Sequence, residues 1–115
     1  MSIQKFEELL VWQKSQDFCV SIYENFSKSS DYAFRDQITR ASVSISNNIA
    51  EGFDRNTNPD FKRFLYFATG STSEVRSMLY LGVRLHLIEK EVAEQLISKS
   101  NEISKMIFGL IKSLK

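Results

Sequence analysis

Apolar residues recur at three- and four-residue spacing through four stretches of the chain, the period of helices buried along one side. Val11, Phe18, Ile22 and Phe26 make one stripe, with Trp12, Cys19 and Tyr23 beside it, so a first helix is expected from residue 6 or 9 to 26. Phe34, Ile38, Ala41, Ile45, Ile49 and Gly52 line a second, over 34–54. A third, over 59–87, carries two stripes. Phe61, Leu65, Ala68, Thr72, Val75 and Leu79 form one, and Phe64, Phe67, Ser71, Met78, Leu81 and Leu85 the other. Ile88, Val92, Leu96, Ile103, Ile107, Leu110 and Leu114 line a fourth, over 89–114. No two-residue alternation persists, so strands are not expected. The breaks are short and polar. Residues 27–31 carry turn and cap chemistry. Residues 55–60 hold the only proline, and Asn58 is placed to cap the third helix with Pro59 at its first position, where a missing N–H costs nothing. Connections this short force successive helices to pack antiparallel. The expectation is an all-α, up-down-up-down four-helix bundle in a single domain, 1–115.

Two patches of small polar residues sit inside these stripes: Ser44, Ser46, Asn47, Asn48 and Gly52 in the second helix, and Thr69, Gly70, Ser71, Thr72 and Ser73 in the third. Ser, Asn and Gly are mediocre to poor helix formers, and an exposed helix face is better solvated by Lys, Glu or Gln. Their presence predicts a close approach by another helix or another subunit. In a hairpin turning near Thr57, opposed residues have numbers summing to about 114. Ser44 then stands level with Gly70, so that the two patches meet, and Arg40 with Glu74 and Glu51 with Arg63 are expected as opposite-charge pairs flanking that contact. The residues assigned to packing and assembly are Ser44, Asn48, Glu51, Gly52, Gly70, Ser71 and Glu74. The two stripes of the third helix exceed what a surface helix of a monomeric bundle buries, which predicts self-association.

Composition is that of an ordinary globular chain: 115 residues, 43% hydrophobic, 25% charged and 12% aromatic, with nine Phe. A formal net charge of +1 gives the whole chain no strong pull towards nucleic acid. A single cysteine, Cys19, excludes an intrachain disulfide and a cysteine zinc site, and its neighbours Phe18, Val20 and Ile22 suggest a small buried hydrophobe. No signal peptide or membrane span is apparent, so a cytoplasmic protein is expected.

Little supports catalysis. His86, the only histidine, lies near a helix end where a cation suits the dipole. Glu-x-x-His pairs and phosphate-binding glycine loops are missing, and the serines have no histidine placed to activate them. No enzyme activity, metal or cofactor is expected. Nucleic acid is a stronger candidate: Arg35, Arg40, Arg55, Lys62 and Arg63 cluster in and around the second hairpin, with Tyr66 and Phe67 available to stack on bases. Asp36, Glu51, Asp54 and Asp60 cancel much of that charge, so that the sequence alone favours a mixed solvated face, and a ring of copies would shift that balance by multiplying what remains.

The opening Phe6-Glu7-Glu8-Leu9-Leu10-Val11-Trp12-Gln13-Lys14 resembles a family signature. So do Gln37-Ile38-Thr39-Arg40-Ala41 with Ser44-Ile45, then Asn48-Ile49-Ala50-Glu51-Gly52, and later Phe61, Phe64-Leu65 and Gly70-Ser71 with Glu74. Nearly the whole chain resembles the bacterial four-helix-bundle proteins encoded within intervening sequences of large-subunit ribosomal RNA genes, the S23 ribosomal protein family, which is similar in fold to the accessory protein of diversity-generating retroelements. The resemblance implies a homopentameric ring without enzymatic activity, whose partners are itself and RNA or a nucleic-acid-handling protein. The retroelement branch is strongly basic, and a net charge of +1 departs from it. Against a nucleic-acid-associated assembly factor stands a second expectation, a protein-interaction scaffold that binds no nucleic acid.

Overall fold

The computed structural model describes residues 2–115, which form four helices and a short lead-in. A single 3-10 turn at Phe6–Glu8 precedes α1 (Leu10–Phe26), α2 (Tyr32–Asp54), α3 (Asn58–Arg84) and α4 (Lys90–Ser113). Each helix packs on its two neighbours around the bundle, and among the described residues no close backbone approach joins the diagonals α1–α3 or α2–α4. The result is a four-helix bundle measuring 44 × 21 × 20 Å.

One predicted stripe from each helix makes the core. Ile22, Ile38, Ile45, Ile49, Leu65, Val75, Leu79 and Ile107 are completely buried. Each such side chain contributes about 1.5–3 kcal/mol by leaving water, opposed by the entropy of ordering the chain. Buried hydroxyls within the stripes satisfy themselves on their own helix: Ser15 donates to the Val11 carbonyl at 2.7 Å, Thr72 to Ala68 at 2.8 Å and Ser100 to Ile97 at 2.6 Å. Among the described residues no buried side-chain polar atom lacks a partner.

α1 begins at Leu10 and α4 runs a residue shorter at each end than expected, and three other ends differ from expectation for a local reason. α2 starts at Tyr32 rather than residue 34, because Asp31 caps it, accepting from the Phe34 N–H at 3.1 Å. α3 is capped by Thr57, whose Oγ1 accepts from the Asp60 N–H at 3.3 Å. Asn58 is therefore already helical, and its side chain instead donates to the Lys115 carbonyl at 3.2 Å. α3 stops at Arg84 rather than 87. The Leu87 N–H bonds the Gly82 carbonyl at 2.8 Å and the His86 N–H bonds Val83 at 3.1 Å, the backbone pattern that closes a helix through a left-handed residue. That residue is His86, with φ 61°. Its role is thus conformational, at a position glycine usually fills.

Candidate functional site

The two small-residue patches of α2 and α3 meet, in a different way from the level-by-level expectation. Ser71 Oγ donates to Ser44 Oγ at 2.9 Å, and Asn48 Nδ2 donates both to that same oxygen at 2.9 Å and to the Ser44 carbonyl at 2.8 Å. The hairpin register is therefore right to within a residue. Gly70, however, points outward, and a Cβ built on it would touch nothing within 4 Å. Height along a bundle does not fix the face, and residue 70 is turned about 100° from Ser71. The tight approach lies further down, where a Cβ on Gly52 would stand 2.6 Å from Phe64 Cβ and 3.1 Å from Phe61 Cδ1. The rest of the α2 patch faces the other way. Ser42 and Ser46 are buried against α1, where Ser46 Oγ accepts from Gln16 Nε2 at 3.1 Å and Ser42 meets Cys19 Sγ at 3.3 Å. Cys19 is consequently half-buried rather than a core hydrophobe.

The expected ion pairs across the hairpin do not form. Glu74 accepts from Gln37 Nε2 at 3.3 Å, while Arg40 lines a shallow polar groove with Asp36, Ser44 and Glu74 and makes no ion pair among the described residues. Glu51 pairs with Arg55 at 3.5 Å and Arg63 with Asp60 at 3.6 Å, both within one helix. Arg55 and Arg63 each reach an acid three or four residues away along the chain, without crossing to the neighbouring helix.

Nor does the fold gather Arg35, Arg40, Arg55, Lys62 and Arg63 into one patch. Arg35 lies over the Tyr32 ring, 4.7 Å from its centroid, and its Nε bonds Asp36 at 2.9 Å. Arg55 follows 20 residues later, about 30 Å along α2. There Arg55 and Arg63 both lie over the Phe64 ring, at 4.9 and 5.0 Å, so Phe64 and the acids Glu51 and Asp60 absorb both guanidinium groups. Lys62 belongs to another face, between α3 and α4.

Two exposed faces flank α3. On the α2 side, Phe67, Gly70, Glu74, Leu81 and Leu85 form one stripe at helical spacing. Phe67, Leu81 and Leu85 are close to half exposed (48%, 45% and 47%). The second apolar stripe of α3 is thus split: Phe64 and Met78 reach the core, and the remainder of its large residues face out. On the α4 side, Tyr66 and Phe108 meet edge to face at 6.3 Å, and Arg76 Nη1 donates to Asn101 Oδ1 at 2.7 Å. Sequence reasoning named Lys62 and Tyr66 but assigned them to the second hairpin, and it missed Phe108 and Arg76, because Tyr66 and Phe108 belong to different helices and to neither buried stripe.

Among the described residues, no group of three or more His, Cys, Asp and Glu comes together in a metal-binding arrangement, and no helix is long and apolar enough to cross a membrane.

Comparison with known proteins agrees with this architecture. The family model described as 23S rRNA-intervening sequence protein matches residues 7–109. A crystal structure of a protein of unknown function from the S23 ribosomal protein family of Bacteroides thetaiotaomicron superposes with a TM-score of 0.84 at 30% identity, covering 90% of this chain and 100% of that one. Neither description names an enzymatic activity. Among curated proteins nothing matches significantly. With four helices in this order and a family match spanning almost the whole chain, the protein belongs to the 23S rRNA-intervening sequence protein family.

Proposed function

We propose that the protein is a non-enzymatic assembly factor of the cytoplasm. Copies associate through the α2–α3 face into a ring, five in number as the family resemblance implies, and the ring holds RNA or an RNA-handling complex through repeated Lys and Arg contacts to phosphate. The observation that supports this most directly is the exposed stripe on α3. Phe67, Leu81 and Leu85 stand at helical spacing around an open Gly70, and beside them the short side chains of Ser44 and Ser71 leave room for a neighbouring helix. A stripe of large apolar residues, interrupted by Gly70 and the single carboxylate of Glu74, fits a partner surface better than it fits water.

Light scattering coupled to size exclusion tests the ring. The expected mass is about five times the 13.3 kDa of one chain. Phe67→Glu combined with Leu81→Glu is expected to give a helical monomer. A wild-type monomer at tens of micromolar would overturn the assembly. A ring that binds no RNA at low salt would instead favour a scaffold that works through protein contacts alone.

A further inference from the structure

The near-zero net charge conceals a strong segregation. Between Asp60 and Glu89 the only acid is Glu74, and after Glu102 there is none. Those two stretches hold Lys62, Arg63, Arg76, Arg84, Lys105, Lys112 and Lys115. The fold then removes both intervening acids from the seam between α3 and α4. Glu74 turns to α2, where it accepts from Gln37, and Glu102 turns to α1, where it pairs with Lys14 at 3.0 Å. What remains along the seam is a groove lined by Arg76, Asn101, Lys105, Phe108 and Lys112 without a carboxylate. Lys62 stands one turn before Tyr66 on α3, and the Tyr66–Phe108 contact brings it level with Lys112. Among the described residues Lys62, Arg76, Lys105 and Lys112 make no salt bridge, whereas Arg35, Arg55 and Arg63 all do. Within this cationic strip lie two exposed rings, Tyr66 (54%) and Phe108 (46%).

We propose that the α3–α4 face binds single-stranded nucleic acid, with phosphates on Lys62, Arg76, Lys105 and Lys112 and an unpaired base stacked at the Tyr66–Phe108 edge. The cations supply the sequence-independent attraction. The rings select single strands, because a duplex keeps its base faces stacked on one another, whereas an unpaired base offers a free π-face. An acidic peptide would satisfy the charges and leave the rings unused. This assignment rests on the nucleic-acid reading above and gives it a place on the molecule, on the α4 side of α3 and next to the assembly stripe.

Fluorescence anisotropy with a labelled oligo(U) of about 20 nucleotides tests it, at about 50 and about 200 mM salt. The wild type is expected to bind, and to weaken steeply as salt rises. Lys105→Gln with Lys112→Gln should weaken binding about tenfold at low salt and reduce the log–log salt slope by about 1.4. Phe108→Ala should weaken it roughly tenfold with the slope unchanged, and Phe108→Tyr should restore it. Lys5→Gln with Lys28→Gln removes the same net charge elsewhere and should bind as the wild type does. Circular dichroism and mass checks keep folding and assembly separate from binding. Oligo(dT) in place of oligo(U) tells DNA from RNA, and either supports the assignment. If Arg55→Ala with Arg63→Ala abolishes binding while the Lys105 and Lys112 variants do not, the face is wrong and the nucleic-acid reading stands. Equal competition by polyglutamate would overturn the stacking and leave a general polyanion site. No binding of either oligonucleotide by the wild type at low salt would remove the nucleic-acid reading itself.

Discussion

Gly52 on α2 lies so close to Phe64 on α3 that a Cβ at position 52 would stand 2.6 Å from Phe64 Cβ. That atom is anchored next to the α3 backbone and cannot swing away, so relief requires the helices to part. Gly52→Ala should cost ~1–3 kcal/mol by overpacking, although Ala is the better helix former by ~1 kcal/mol. Thermal unfolding at fixed protein concentration reads this as a drop of several degrees. An unchanged or higher Tm would show that the contact relaxes freely.

Gly70 should behave in the opposite sense. With nothing within 4 Å of a Cβ, Gly70→Ala should gain up to ~1 kcal/mol of helix propensity. Gly70→Leu should leave the fold of one chain intact and shift the mass of the assembly downwards, because it fills the open centre of the α2–α3 face. A Leu variant with unchanged mass would mean that copies do not meet there.

Arg40 and Glu74 should prove independent. Glu74 is held by Gln37 at 3.3 Å, and Arg40 has no acid within salt-bridge distance among the described residues. A double-mutant cycle with Arg40→Ala and Glu74→Ala should be additive within ~0.5 kcal/mol. The cycle through Gln37 should show coupling of at most ~1 kcal/mol, as expected for an exposed side-chain hydrogen bond. Coupling of several kcal/mol between Arg40 and Glu74 would contradict the observed geometry.

His86 holds a left-handed backbone at the end of α3 with φ 61°. A residue with a Cβ pays ~1–2 kcal/mol for that conformation and glycine does not. His86→Gly should therefore raise stability by ~1 kcal/mol, and His86→Val should lower it. A glycine variant that melts earlier would show that the imidazole makes a contact worth more than the strain.

The bundle was legible because its signal is dense. One stripe on each helix is buried or half-buried throughout, and the helix count, order and hairpin register follow from these four. What the stripes could not convey was azimuth. Ser44 and Gly70 were expected to meet from their heights, and Ser71 takes that place instead. Arg40 and Glu74 stand at matching levels and turn to different neighbours. Helix stops were harder where the chemistry was unusual: Gly82 and Leu87 close α3 through His86, and no glycine marks the place. The α3–α4 cationic strip was legible in principle from the run without acids after Glu102, and summing charge over the whole chain erased it. The same sum hid the acids at the other end of α4, Glu89, Glu91 and Glu94.

The four seams of the bundle are not equally strong. α2 and α3 are locked by the Gly52–Phe64 approach and the Ser44–Ser71 bond, whereas α1 and α4 share the sparsest seam, bridged on its exposed side by the Lys14–Glu102 pair. Local opening follows the weakest seam. Hydrogen exchange should therefore run fastest in α1 and slowest in the centre of α2 and α3, with α1 lifting away as a unit while the other three helices stay docked. A bundle that opens this way would work as a three-helix slab with a detachable stave, and the slab would keep both exposed faces of α3 whether or not the stave is in place.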